Sequence, residues 1–138
     1  MDSQNVSWRE VEKLVKILSK KIIDLNRDFT SISTISRGGL VPARLLADHL
    51  GIETIFVDKN KIPYDSIFVD DIYDSGKTFK KIIPKIEDPS KLVFVTLFAR
   101  RGKRYPNQLL FAKKTIGTEY IVYPWDKLEF KRLKKVGL

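Results

Sequence analysis

An α/β fold with one mainly parallel central sheet flanked by helices is predicted by three features of the chain. Strand-like and helical segments alternate along its length. The run Leu92–Ala99 is apolar on both faces, as a central strand of a parallel sheet must be. Another apolar strand, Ser66–Val69, ends directly on carboxylates, which suits the carboxyl ends of parallel strands, where such sheets bind ligands.

The elements follow in order. Val11, Leu14, Val15, Leu18 and Ile22 recur at helical spacing, and Ser7 with Glu10 three residues later forms a capping box, so an amphipathic helix opens the chain. Ser31–Ile35 alternates β-branched and small polar residues and is broken by Ser36-Arg37-Gly38-Gly39. Leu40–Leu50 then reads as a helix closed by Gly51. Ile52–Val57 is a second strand and Ser66–Val69 a third. A helix should begin near Ser75 and end or kink at Pro84, which lacks an amide hydrogen and clashes with the preceding turn. Leu92–Ala99 is the central strand, and Glu119–Tyr123 closes the series.

The 138 residues suit a single domain spanning 1–138, with no repeats, linkers or low-complexity segments. Cysteine is absent, which excludes thiol nucleophiles, disulfides and Cys-ligated zinc. No apolar stretch approaches the roughly 20 residues of a membrane-spanning helix, and the polar N-terminus does not resemble a signal peptide, so a cytoplasmic protein is expected. The net charge of +9 points to an anionic partner: a polyphosphate, nucleic acid or an acidic surface. The basic clusters Arg100–Arg104 and Lys127–Lys135 read first as solvated surface. The sole histidine, His49, lies on a predicted helix far from the acidic run and reads as a helix-surface residue.

That acidic run is Phe68-Val69-Asp70-Asp71-Ile72-Tyr73-Asp74-Ser75-Gly76-Lys77-Thr78. Carboxylates are good acceptors for sugar hydroxyls. Successive backbone N–H groups at a helix start, helped by Ser and Thr hydroxyls, hold a phosphate, and Gly76 lets the backbone approach it. A sugar phosphate would satisfy both parts. The plainer reading has Asp74 and Ser75 capping a helix and Asp70-Asp71 in a polar turn. Against it, like charges cluster unfavourably unless a cation or hydroxyl-rich ligand offsets them. Ser75-Gly76-Lys77-Thr78 also suggests a P-loop, but that pattern needs glycine at position 71, which is aspartate.

The run resembles the signature of the type I phosphoribosyltransferases: an apolar strand, two acidic residues, then Asp-Ser/Thr-Gly-x-Thr. Ile35–Pro42, Val95–Ala99 and Tyr120–Asp126 are similar to segments of the 6-oxopurine branch, the xanthine-guanine enzymes above all, so the likeness runs from Trp8 to Asp126. It implies the type I fold and binding of 5-phosphoribosyl-1-pyrophosphate (PRPP) by Arg37, Gly38, Asp70, Asp71, Asp74, Ser75, Gly76, Lys77 and Thr78. It makes Asp74 the group near purine N7, and places Arg100, Tyr120 and Ile121 on the purine. Arg100 stands where the family has a lysine donating to the 6-oxo group. Mg2+ is the implied cofactor, with Asp71 and Asp126 beside it, and a homo-oligomer, dimer or tetramer, the implied assembly. Arg37-Gly38 matches the loop that holds pyrophosphate, whose peptide is often cis in the family. Without the resemblance, Tyr120 and Trp125 read as core or edge aromatics.

One segment departs from the family pattern. The flexible loop that folds over the active site is shortened here to Val57–Asp65, in which Lys59 and Lys61 are the only cations. Lid closure excludes water, so the expectation is an enzyme with slow turnover, competing hydrolysis of PRPP or a lid supplied by another subunit. The leading expectation is a Mg2+-dependent purine phosphoribosyltransferase. The rival is a regulator of the same fold that binds PRPP or a nucleotide without turnover and contacts nucleic acid through its basic surface.

Overall fold

The computed structural model describes residues 2–137. Five parallel strands form the main sheet in the order β3-β2-β4-β5-β6: β2 (Ser31–Thr34), β3 (Thr54–Val57), β4 (Ser66–Tyr73), β5 (Val93–Ala99) and β6 (Leu109–Lys114). A second sheet pairs β1 (Ser3–Asn5) with β7 (Tyr120–Val122), also in parallel. Every residue of β5 is buried, because it lies between β4 and β6 with packed side chains on both faces.

Helices α1 (Trp8–Ile23) and α2 (Leu40–Leu50) cover one face of the main sheet. Leu14, Leu18, Leu46 and Ala47 pack there against Ile32, Ile67 and Val95. The capping box is formed at its first half, the Ser7 hydroxyl accepting from the Glu10 amide at 3.1 Å. Gly51 ends α2 at φ 68°, a left-handed conformation that suits glycine. On the other face, the short α3 (Lys77–Ile82) and the turn through Pro84 pack Ile82 and Ile86 against Phe68 and Phe94, whose rings stack at 5.2 Å.

Three differences from the sequence expectation concern the second half of the chain. Glu119–Tyr123 does not extend the main sheet but pairs with β1, a segment too short to carry a periodicity. The main sheet is completed by β6 instead, an edge strand whose exposure rises toward Lys114 and blurs its alternation. The basic cluster from Lys127 is solvated but helical: α4 (Lys127–Lys135) buries only Phe130, against Tyr120.

These elements bring the ends of β2, β4 and β5 to one rim, with the β2–α2 and β4–α3 loops above it. Gly39 fixes their spacing. A Cβ there would lie 2.0 Å from Thr34 Oγ1 and 2.6 Å from the Val69 carbonyl oxygen, so only glycine lets the β2–α2 loop settle against β4.

Candidate active site

β4 changes character along its length, with buried Ile67, Phe68 and Val69 giving way to Asp70 and Asp71 at the rim. The two carboxylates are held by local geometry. Asp70 accepts from the Asp71 amide and Asp71 from the Ile72 amide, each at 2.8 Å. Burial raises the Asp70 pKa, against the pull of the Asp71 amide and of the Asp71 and Thr78 side chains. Asp71 is pushed up to about 8, first by burial and then by the neighbouring Asp70 charge. Two adjacent carboxylates without a cation therefore share the rim at an energetic cost, which hydroxyls or a divalent ion would relieve.

The β4–α3 loop continues from this pair around a cavity of about 190 Å3, lined by Asp70, Asp71, Asp74, Ser75, Lys77 and Thr78 among others. Gly76 has φ 81°, and a Cβ on it would meet the Tyr73 hydroxyl at 2.6 Å. Tyr73 thus underpins the loop, and its ring packs edge-on against Phe79 and Tyr105. The arrangement offers backbone N–H groups and two hydroxyls around a space fit for a phosphate, beside carboxylates fit for sugar hydroxyls.

The β2–α2 loop lies directly over Asp71: a Cβ on Gly38 would sit 3.1 Å from the carboxyl carbon and both its oxygens. The Ser36–Arg37 peptide is cis. Asp58, the first residue after β3, holds this loop from the side, accepting from the Ser36 amide at 2.9 Å and from its hydroxyl at 2.5 Å. From the opposite side, the Tyr123 hydroxyl donates to the Asp71 carbonyl at 2.7 Å, and the Tyr123 ring stacks on Trp125 at 4.7 Å. Sequence reasoning gave Asp58, Tyr73 and Tyr123 no role. Asp58 adopts φ 54° in the tight turn that follows β3, in the segment the sequence showed to be shortened.

Beyond the carboxylate pair, Arg100 lies beside Asp74, its Nε 3.4 Å from Asp74 Oδ1. The same guanidinium donates through one terminal nitrogen to the Gly117 carbonyl at 3.1 Å and the Glu119 carbonyl at 2.9 Å. Arg100 therefore ties the β4–α3 loop to the chain entering β7. Asp74, Arg100, Arg101 and Gly117 line a cleft of about 520 Å3 that Tyr120 and Ile121 do not line. Ile121 is buried in β7, and Tyr120 stacks on Phe130 of α4 at 5.4 Å. Glu129 of the same helix pairs with Arg37 at 3.8 Å, so α4 touches both the β2–α2 loop and the Tyr120 side.

Asp126, at the start of α4, has its pKa raised to about 6, first by burial and then by the charges of Asp71 and Glu129. Among the described residues no group of three or more His, Asp or Glu side chains is arranged to hold a metal unaided. Asp126 nevertheless feels the charge of Asp71, and both side chains offer only oxygen. That donor set fits a hard divalent cation that draws its remaining ligands from a bound phosphate compound.

No protein-family model matches the chain. It is 28% identical over 140 residues to the xanthine-guanine phosphoribosyltransferase of Chromohalobacter salexigens, covering 88% of this chain and 82% of that protein. The Desulfotalea psychrophila protein of the same name is 29% identical, with 88% and 84% covered. Among solved structures, the xanthine-guanine-hypoxanthine phosphoribosyltransferase of Helicobacter pylori superposes with a TM-score of 0.76 over 96% of this chain and 97% of that one, at 20% identity. The chain has the type I phosphoribosyltransferase fold, and its sequence likeness is to the xanthine-guanine enzymes.

Proposed function

We propose that this chain, a protein of type I phosphoribosyltransferase fold, transfers the phosphoribosyl group of PRPP to a 6-oxopurine, guanine, xanthine or hypoxanthine, to give the nucleoside monophosphate and pyrophosphate. The observation that carries the reading is the pairing of the buried Asp70-Asp71 carboxylates with the Ser75–Thr78 loop around one cavity, under Gly38. In this reading the loop anchors the 5′-phosphate and Asp70 and Asp71 accept from the ribose hydroxyls. The β2–α2 loop, fixed by Asp58, presents its amides to the diphosphate.

Bond cleavage at C1′ leaves negative charge on the departing diphosphate and positive charge on the ribose. Positioned charges are the main catalytic resource for such a step. Asp71 and Asp126 are the residues that would hold Mg2+, which when bound would supply charge neutralisation of the leaving group. Asp74 faces the cleft where the base would lie and takes or relays the N7 proton. Arg100 holds Asp74 in place and keeps one terminal nitrogen uncommitted, which can donate to the 6-oxo group.

Product formation from PRPP and Mg2+ with guanine, xanthine, hypoxanthine and adenine in parallel, read by chromatography of nucleotide and pyrophosphate, tests this. A 6-oxopurine nucleotide with little from adenine is the expected result. One observation favours a second reading, a PRPP- or nucleotide-binding regulator without turnover. The β3–β4 connection, where the lid belongs, is fastened down: Ile62 is 3% exposed and bridges to Ile86, donating to the Lys85 carbonyl at 2.8 Å. PRPP binding with no product from any base would select that reading.

A further inference from the structure

We propose that the cleft between the β3–β4 connection and α3 is a second anion site, separate from the Ser75–Thr78 loop, that takes a phosphate or diphosphate group on Lys59, Lys81 and Lys85. The cleft encloses about 310 Å3, with Ser36 and Asp58 at its rim and Phe68 and Ile82 among its walls. None of the three lysines belongs to the machinery described above, while Ser36 and Asp58 at the rim are shared with the β2–α2 loop.

Three features make it a site rather than a run of surface charge. Its walls are fixed, because Ile62 donates to the Lys85 carbonyl at 2.8 Å and accepts from the Glu87 amide at 2.9 Å, which holds the connection against the turn after α3. Lys59, from the connection, and Lys81 and Lys85, from α3 and the turn after it, line the cleft between the elements held together in this way. Second, the charge is unbalanced. Asp58 is the one carboxylate among the lining residues, and both its oxygens are engaged by Ser36. None of the three ammonium groups forms a salt bridge among the described residues. Third, buried Phe68 and Ile82 supply apolar wall to the cleft, which strengthens the attraction for an anion relative to open surface. Lysine is a flexible point charge suited to a phosphate that arrives in more than one pose.

Calorimetric titration of inorganic pyrophosphate into the full chain tests this, comparing the natural sequence with K81A/K85A and with K81Q/K85Q, which keeps much of the side-chain bulk. Both variants should lose one equivalent of bound pyrophosphate, or weaken one binding step by about 10-fold or more, while PRPP affinity stays within about 3-fold. Unchanged stoichiometry and affinity in both variants would overturn the proposal. So would a parallel loss of PRPP and pyrophosphate binding, which would make the lysines an extension of the PRPP site. If the natural chain bound no PRPP, the transferase reading would fail, while loss of the pyrophosphate equivalent on substitution would still establish the cleft.

Discussion

The two halves of the rim are built differently. The half proposed for sugar and phosphate comes from one continuous stretch, Asp70–Thr78, in which strand, carboxylates, turn and helix start follow each other without a gap. The half proposed for the base is assembled from segments far apart in the chain: Arg100 after β5, Gly117 and Glu119 before β7, and α4 behind Tyr120. Chemistry written in consecutive residues is set by local backbone geometry, whereas chemistry spread over several loops depends on how distant elements pack. Asp74 stands at the join, within the local run yet bonded to Arg100.

Substitution at that join should have the largest effect. Asp74→Asn keeps the shape and removes the proton acceptor, so kcat should fall about 100-fold or more while the KM for PRPP moves by less than about 3-fold. Steady-state kinetics with the preferred base separates these. Equal loss in both parameters would place Asp74 wholly in the phosphate half and dissolve the distinction.

Next in size is Gly76→Ala, which tests the local half alone. The added methyl meets the Tyr73 hydroxyl at 2.6 Å, and φ of 81° disfavours any side chain. PRPP affinity should fall about 10-fold or more, with a stability loss of about 1–3 kcal/mol, measured by titration and thermal melting. In a Tyr73→Phe background the clash with the hydroxyl is removed but the backbone strain stays, so part of the loss should return. No recovery would mean that the loop does not rest on Tyr73.

This division also explains what was legible in the sequence. The run Asp70–Thr78, the glycines at 38 and 39 and the helices α1 and α2 could be read directly, because each is specified by neighbours within a few residues. The partners of Arg100 could not. Its guanidinium bonds a side chain 26 positions back and two carbonyls 17 and 19 positions ahead, and carbonyls leave no mark in a side-chain pattern. The stacking of Tyr120 on Phe130 depends on α4, whose lysines and arginines hide the single buried aromatic that docks the helix. Asp58 went unassigned because its role, holding Ser36, exists only once β2 and β3 lie side by side.

Arg100→Lys probes the base half alone and should act more weakly. Lysine cannot reach Asp74 and two carbonyls from one rigid fork, so the chain entering β7 loosens. The KM for the base should rise about 10-fold and the KM for PRPP stay within about 2-fold. A matching rise in both would show that the halves are mechanically one unit.

The smallest effect expected is on stability against pH, and it isolates the carboxylate pair without any ligand. Asp71 has its pKa raised to about 8 in the folded chain and Asp126 to about 6, both first by burial. A carboxyl raised above its unfolded value leaves the folded state holding more protons than the unfolded one. Stability therefore falls as pH rises from about 4 to about 8, and levels off above that. Asp58 and Asp88 are shifted the other way by their serine partners, and their contribution is lost only as pH falls below about 4, outside this window. Melting temperature should accordingly drop by on the order of 5 °C between about pH 5 and about pH 9. Asp71→Asn should flatten most of that slope by removing the buried charge and relieving both Asp70 and Asp126. A slope that persists in Asp71→Asn would assign the cost to Asp126 and the α4 side, moving the electrostatic strain from the local half of the rim to the assembled one.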